Sequence, residues 1–235
     1  MYRYFRDELG LRHIQFISIV ERENDTGFQE GDTVTDRSVD PATWGAFLIT
    51  VFDEWVRRDV GEVFVQMFDE ALASWLGLPS SMCIFRLTCG DALALEHNGD
   101  VYSCDHFVEP AHLLGNIVET HMVELVASPR QRAFGQAKLD TLPAYCRDCE
   151  VRFACNGECP KNRFTLTPDS EPGLNYLCAG YRAFFNHIDG PMRLMATLLR
   201  DGKHADEIMH LFASAGRNEP CPCGSGRTAK RCLQA

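Results

Sequence analysis

The eleven cysteines of this chain are clumped, and that clumping limits its fold more than any other feature. None precedes Cys83, eight lie from Cys83 to Cys178, and three fall in the last fifteen residues. Eleven in 235 residues is too dilute for a small secreted disulfide scaffold, which needs roughly 8–10% cysteine. The odd count also bars complete internal pairing. Runs of thiols at short spacing suit metal ligation better than scattered core filling. The central eight form Cys83-x5-Cys89-x14-Cys104 and Cys146-x2-Cys149-x5-Cys155-x3-Cys159-x18-Cys178, enough for two sets of four. Four thiolates hold either zinc or an iron–sulfur cluster. Only Cys146 and Cys149 have the C-x2-C spacing of a zinc knuckle, so spacing leaves both metals open.

Length and charge narrow the remaining classes. At about 150 residues per domain the chain holds one or two domains. A complete eight-fold β/α barrel of about 250 residues does not fit beside a metal-binding module. With 45% hydrophobic and 24% charged residues, bulk disorder is excluded and a sizeable core is available. A net charge of −10 argues against general binding of nucleic acid. The longest apolar run, GAFLITVF from Gly45 to Phe52, falls short of the ~20 residues that cross a bilayer. The N-terminal MYRYFRDELG is charged and lacks the apolar centre of a signal peptide. The expected location is the reducing cytoplasm, with no membrane partner.

Residues 1–10 read as the end of a helix stopped by Gly10, and residues 11–20 (LRHIQFISIV) as one buried strand. A parallel strand cannot stand alone, so the chain is expected to open inside an α/β repeat. Residues 23–40 read as a polar loop. Asp40 and Pro41 open a helix to about Asp59, as N-cap and first helical residue. Residues 63–76 begin β-like and continue as an amphipathic helix ending at Gly77. Asn98-Gly99 centres a hairpin of residues 91–96 and 100–104. Residues 118–138 read as helix interrupted at Pro129. Residues 143–173, rich in Cys, Pro and Gly, are expected to be held by ligands. Helices follow from Leu174 to about Arg200 and over residues 204–214.

Four segments then carry a resemblance: CGDALALEHNGDVYSCDHFVEP (89–110), LLGNI (113–117), YCRDCEVRFACNGECPKNRF (145–164) and LNYLCAGYRAFFNHI (174–188). They resemble the C-terminal part of the anaerobic sulfatase-maturating enzymes, which are radical S-adenosylmethionine enzymes with a SPASM domain. The resemblance covers most of residues 83–188. It implies an α+β fold: the last β/α portion of a partial radical S-adenosylmethionine barrel (residues 1–62), an iron–sulfur SPASM domain of short hairpins and helices (63–200), a linker helix (201–216) and a small zinc-type tail (217–235). It also implies two [4Fe-4S] clusters with interleaved ligands, Cys83, Cys89, Cys104 and Cys159 for one, and Cys146, Cys149, Cys155 and Cys178 for the other. Each cluster site would carry a net charge of about −2, to be offset by backbone N–H groups and neighbouring donors. Gly90, Gly157 and Gly180, each near a ligand, would permit close backbone approach. By the same resemblance Asp105 is the general base. Read on its own residues, Asp105 is a hairpin cap or the acceptor of a backbone hydrogen bond. His106 is given no catalytic role, and Lys161 and Arg163 are candidates to neutralise cluster charge.

The family's CxxxCxxC motif, which binds the catalytic cluster, does not occur in these residues. S-adenosylmethionine and a third [4Fe-4S] cluster are therefore expected only in a longer enzyme, or with a separate N-terminal radical half as partner. The tail RNEPCPCGSGRTAKRCLQA resembles the SEC-C motif, a zinc module. Cys221, Cys223 and Cys232 match it, but Leu233 stands where the fourth ligand is expected. Three thiolates, with His204 or His210, could still hold Zn2+. The tail is basic, with Arg217, Arg227, Lys230 and Arg231 against Glu219, and suits an anionic or protein partner. The function implied is oxidation of a sulfatase Cys or Ser to Cα-formylglycine in an unfolded or nascent peptide. The alternatives are another SPASM maturase acting on a different peptide, and a non-catalytic iron–sulfur electron-transfer or peptide-binding module.

Overall fold

The computed structural model describes residues 1–224 and 226–232, with Arg231 and Cys232 described by backbone alone. Leu233, at the expected place of a fourth zinc ligand, lies outside the described residues.

The chain opens with a π-helical turn, Tyr4–Glu8, closed by Gly10 at φ 65°. Strand β1 (His13–Ile14) pairs in parallel with β2 (Phe64–Val65), and helix α1 (Pro41–Arg58) lies between them in sequence, making one β–α–β unit. Asp40 caps α1 by accepting from Thr43 N, and Pro41 supplies the first helical residue. Helix α2 (Gln66–Trp75) continues directly from β2. Strands β3 (Ala94–Leu95), β4 (Asp100–Tyr102) and β5 (Leu113–Asn116) form an antiparallel sheet, its hairpin turning at Asn98-Gly99. Helices α3 (Met122–Val126) and α4 (Pro129–Asp140) follow, then the single turns α5 (Ala144–Arg147) and α6 (Arg152–Cys155). A hairpin of β6 (Thr165–Leu166) and β7 (Pro172–Leu174) leads to helix α7 (Cys178–Arg200), α8 (Glu207–Ser214) and α9 (Ala229–Cys232). Helices and short strands are thus mixed. Among the described residues no helix is long and apolar enough to cross a membrane.

Three local expectations change. The strand expected over residues 11–20 is only His13–Ile14. Ile17 and Ile19 are 76% and 52% exposed, so the run is not buried on both faces. Beyond Ser18 the backbone finds other partners. Val39 N donates to Ile19 O, Thr35 N to Glu21 O and Glu23 N to Thr33 O, and Arg22 bridges Val34. The polar loop thus folds back on its own start. Residues 118–138 break at Pro129 as expected, where Ser128 caps Gln131 N, but the first helix of the stretch begins only at Met122. Helix α7 begins at Cys178 rather than Leu174, because Pro172–Leu174 is taken up by β7.

The chain forms two compact units that do not follow sequence order. The first contains Met1–Ser18, Asp40–Ser80 and the chain from Ala179 onward. Its core is Leu48, Phe52 and Val56 of α1, Phe68 of α2, and Phe184, Ile188, Met192 and Met195 of α7, all buried. Phe52 meets Phe68 edge-on at 5.2 Å between ring centres. The α1–α7 crossing is set by two glycines. A Cβ at Gly180 would lie 2.1 Å from the Pro41 carbonyl oxygen, and one at Gly45 would lie 2.7 Å from Gly180 Cα. The second unit contains Ile19–Val39 and Ser81–Cys178, and with them all eight central cysteines.

Candidate metal centre

The central cysteines sit in short elements and the loops between them. Cys83 opens a 3-10 turn, Cys104 follows β4, Cys146 lies in α5, Cys155 ends α6 and Cys178 begins α7. Cys89 precedes β3, Cys149 lies between α5 and α6, and Cys159 precedes the turn Pro160–Asn162. Cys146 and Cys159 are buried, and the other six are half-buried.

Several of these thiols lie near enough to act on one another. After burial, one such series links Cys89 to Cys83, Cys104 to Cys89 and Cys159 to Cys104. In another, Cys146 feels Cys149, and Cys155 feels Cys178 and Cys146. Burial pushes the Cys104 and Cys155 thiols up to about 12, so both stay protonated until a metal takes the proton's place. Backbone N–H groups already point at sulfur. His106 N lies 3.5 Å from Cys104 Sγ, and Gly157 and Lys161 donate to Cys155 and Cys159. Among the described residues no three His, Cys, Asp or Glu side chains converge on a point that could hold one metal ion. Ligands of a four-iron cluster each bind a different iron, so they need not converge on one point.

Helix α4 holds the first group. Gln131, Gly135 and Lys138 fall on one face, spaced i, i+4, i+7. Gln131 Nε2 donates to Gly90 O at 2.7 Å and to Ser103 O at 3.0 Å. Cys89 N donates to Gly135 O at 3.2 Å, and a Cβ on Gly135 would lie 2.2 Å from Cys89 O. Lys138 Nζ donates to Cys83 O at 2.7 Å and Ile84 O at 2.8 Å. One helix face therefore holds the backbone at or beside Cys83, Cys89 and Cys104. Lys138 is 1% exposed, and burial lowers its ammonium to about 8 against the pull of Cys89, Cys159 and Glu158.

Arg163 serves the loop between Cys155 and Cys159. It donates to Asn156 O, Gly157 O and Glu158 O. Glu158 is buried, accepts from Asn162 and Asn175, and is raised above the usual carboxylate range by burial. Arg22 Nη2 donates to Lys161 O, and its guanidinium lies 4.4 Å over the Phe164 ring. Asp105 is exposed, and Cys104 Sγ donates to its Oδ1 at 3.1 Å. Lys138, Gln131 and Glu158 are missed by motif reading. The available signal was a helix with polar residues at the spacing where an amphipathic helix carries apolar ones.

In the tail, Cys221 and Cys223 are buried with their sulfurs 3.2 Å apart. A Cβ at Gly190 of α7 would lie 3.1 Å from Cys223 Sγ. The Cys232 side chain lies outside the described residues. No described His, Asp or Glu, His204 and His210 included, joins the pair as a third ligand.

Comparison with known proteins gives a consistent picture. The iron–sulfur cluster-binding domain family SPASM matches residues 83–150, and the SEC-C motif matches residues 217–232. The chain is 46% identical to the serine-type anaerobic sulfatase-maturating enzyme of Bacteroides thetaiotaomicron, over 88% of this chain and 52% of that protein. It is 33% identical to the enzyme of the same name from Klebsiella pneumoniae, over 79% of this chain and 43% of that protein. Its fold matches native anSMEcpe with bound AdoMet and Cp18Cys peptide at TM-score 0.72 and 29% identity, covering 84% of this chain and 53% of that chain. The chain thus spans about half the length of the curated relatives it matches.

Proposed function

Starting from a chain with an iron–sulfur cluster-binding SPASM domain, matched in sequence and fold by anaerobic sulfatase-maturating enzymes, we propose that it supplies the auxiliary-cluster half of a radical maturase. The full enzyme would oxidise a sulfatase Cys or Ser to Cα-formylglycine in an unfolded or nascent peptide. Residues 1–62 would complete a partial barrel, 63–200 would form the cluster domain, 201–216 would link to the tail, and 217–235 would be a zinc module. The observation that carries this reading is that all eight central thiols lie in one compact unit, whose residues 83–150 match the iron–sulfur cluster-binding SPASM family.

Cys83, Cys89, Cys104 and Cys159 would hold one [4Fe-4S] cluster, and Cys146, Cys149, Cys155 and Cys178 the other. When bound, the clusters would supply a place for electrons leaving the substrate. Lys138 and Arg163 would offset the negative charge of the sites, and α4 would fix the ligand loops. Converting CH2–OH or CH2–SH to an aldehyde or thioaldehyde removes one hydrogen atom, one proton and one further electron. Asp105 Oδ1, exposed beside a ligand, would take the proton. The hydrogen atom would go to a radical generated by an N-terminal half carrying CxxxCxxC, a motif that does not occur in these residues. Cys221, Cys223 and Cys232 would hold Zn2+, and the basic tail would meet a protein partner.

The test is anaerobic reconstitution of the 235-residue chain. It should become brown, absorb broadly near roughly 400 nm and hold about eight irons, as two four-iron clusters require. A colourless protein with stoichiometric zinc at the central cysteines would reject the reading. A second reading is a non-catalytic electron-transfer or peptide-binding module. Supplying a CxxxCxxC-bearing half in trans separates the two: formylglycine in a sulfatase peptide supports the maturase, and its absence with both halves fully loaded supports the module.

A further inference from the structure

This inference rests on the two-cluster reading above. Cys155 and Cys159 belong to different groups, yet only Asn156, Gly157 and Glu158 separate them. These three residues have φ values of 47°, 71° and 52°. A left-handed turn is unfavourable for Asn and more so for Glu, so something must hold it. Its carbonyls converge on one guanidinium. Arg163 Nη2 donates to Asn156 O at 2.7 Å and Glu158 O at 3.1 Å, and Nε to Gly157 O at 2.9 Å. Nη1 donates to Lys138 O at 2.5 Å, tying the turn to α4. A Cβ on Gly157 would lie 2.7 Å from Nη2, so the fork also fills the space beside the turn. The thiols acting on Arg163 are Cys146 and Cys155 of one group and Cys159 of the other. Those acting on Lys138 are Cys89 and Cys159, both of the first group.

We propose that Arg163 is a positioning residue shared by both cluster sites: its planar fork fixes the link between a ligand of each, and its charge favours the reduced state at both. Reduction adds negative charge, and a fixed cation in a partly dehydrated site stabilises it. Lysine keeps the charge, but three donors on one nitrogen cannot meet four carbonyls spread around a planar fork.

The test is a potentiometric titration of the reconstituted full chain, with iron and sulfide counted in each variant. Arg163→Met should move the midpoints of both centres to more negative potential. Lys138→Met should move the Cys83–Cys89 centre more than the other. Arg163→Lys should give a smaller negative shift at both centres, and it decides the matter if the Met variant fails to hold iron. Unmoved midpoints in the Arg163 variants, or a shift at one centre alone, would overturn the proposal. A wild-type chain without two four-iron centres would instead sink the functional reading, so the two failures are distinct.

Discussion

At the scale of single residues, this molecule spends buried polar groups on holding cysteines. Lys138 illustrates the cost and the return. Its Nζ is buried, yet it meets two carbonyls, one of them on Cys83 itself. Lys138→Met removes the Nζ donor from both carbonyls; Cys83 O keeps Arg86 N at 3.4 Å, while the loss at Ile84 O costs about 1–3 kcal/mol. The expected outcome is a lower unfolding midpoint and faster iron loss from the Cys83–Cys89 centre, followed by thermal melts and iron release to a chelator. Gly135 is equally exposed to test. Gly135→Ala puts a methyl 2.2 Å from Cys89 O, so Cys89 must move. Iron content should fall by about half, one cluster of two. The pH dependence has a definite sign. Cys104 and Cys155 are raised to about 12, above the ~8.5 of an unfolded thiol. In the metal-free chain their contribution to stability is fully present below about 8.5 and is lost as pH rises through 12. Because each thiol must lose a proton to bind iron, cluster assembly at fixed iron should improve from pH 7 to 8.5. A rise of absorbance at fixed iron and sulfide measures it.

At the scale of elements, two helices do different work by the same spacing rule. Helix α1 carries Leu48, Phe52 and Val56 on its buried face, an ordinary apolar stripe. It meets α7 where Gly45 and Gly180 let backbones touch. Gly180→Ala forces a methyl to 2.1 Å from the Pro41 carbonyl, and the crossing must open, at about 1–3 kcal/mol for overpacking. Denaturant melts of the apo chain would show it, with iron binding by the second unit as the control. Helix α4 buries Gln131, Gly135 and Lys138 instead. Its job is to present donors and a gap to the ligand loops, so apolar residues on that face would leave carbonyls unpaired. Ser128→Ala, which removes the cap of α4 at Gln131 N, should cost about 1 kcal/mol.

At the scale of the whole molecule, chemistry is separated along the chain. The central thiols belong to one compact unit and the tail pair to the other. Cys223→Ser should lower zinc retention while leaving about eight irons in place, read by elemental analysis of the same sample. Much of this was legible in residues 83–178. The Asn98-Gly99 turn and the Asp40-Pro41 helix start are set by covalent neighbours, and short-range rules read them correctly. The strand at 11–20 was overread, since β-branched composition reports preference and not the presence of a pairing partner. Lys138 was invisible because a lysine in a helix is ordinarily solvated. Only the carbonyl oxygens of Cys83 and Ile84, more than fifty residues away in sequence, give it a reason to be buried. The sequence by itself determined the donor type, eight thiols clustered between Cys83 and Cys178, because ligand type is a property of side chains and their spacing. The tertiary structure alone decided which cations and carbonyls surround those thiols. Buried charge is compensated by whatever folding brings near, and that neighbourhood has no local signature.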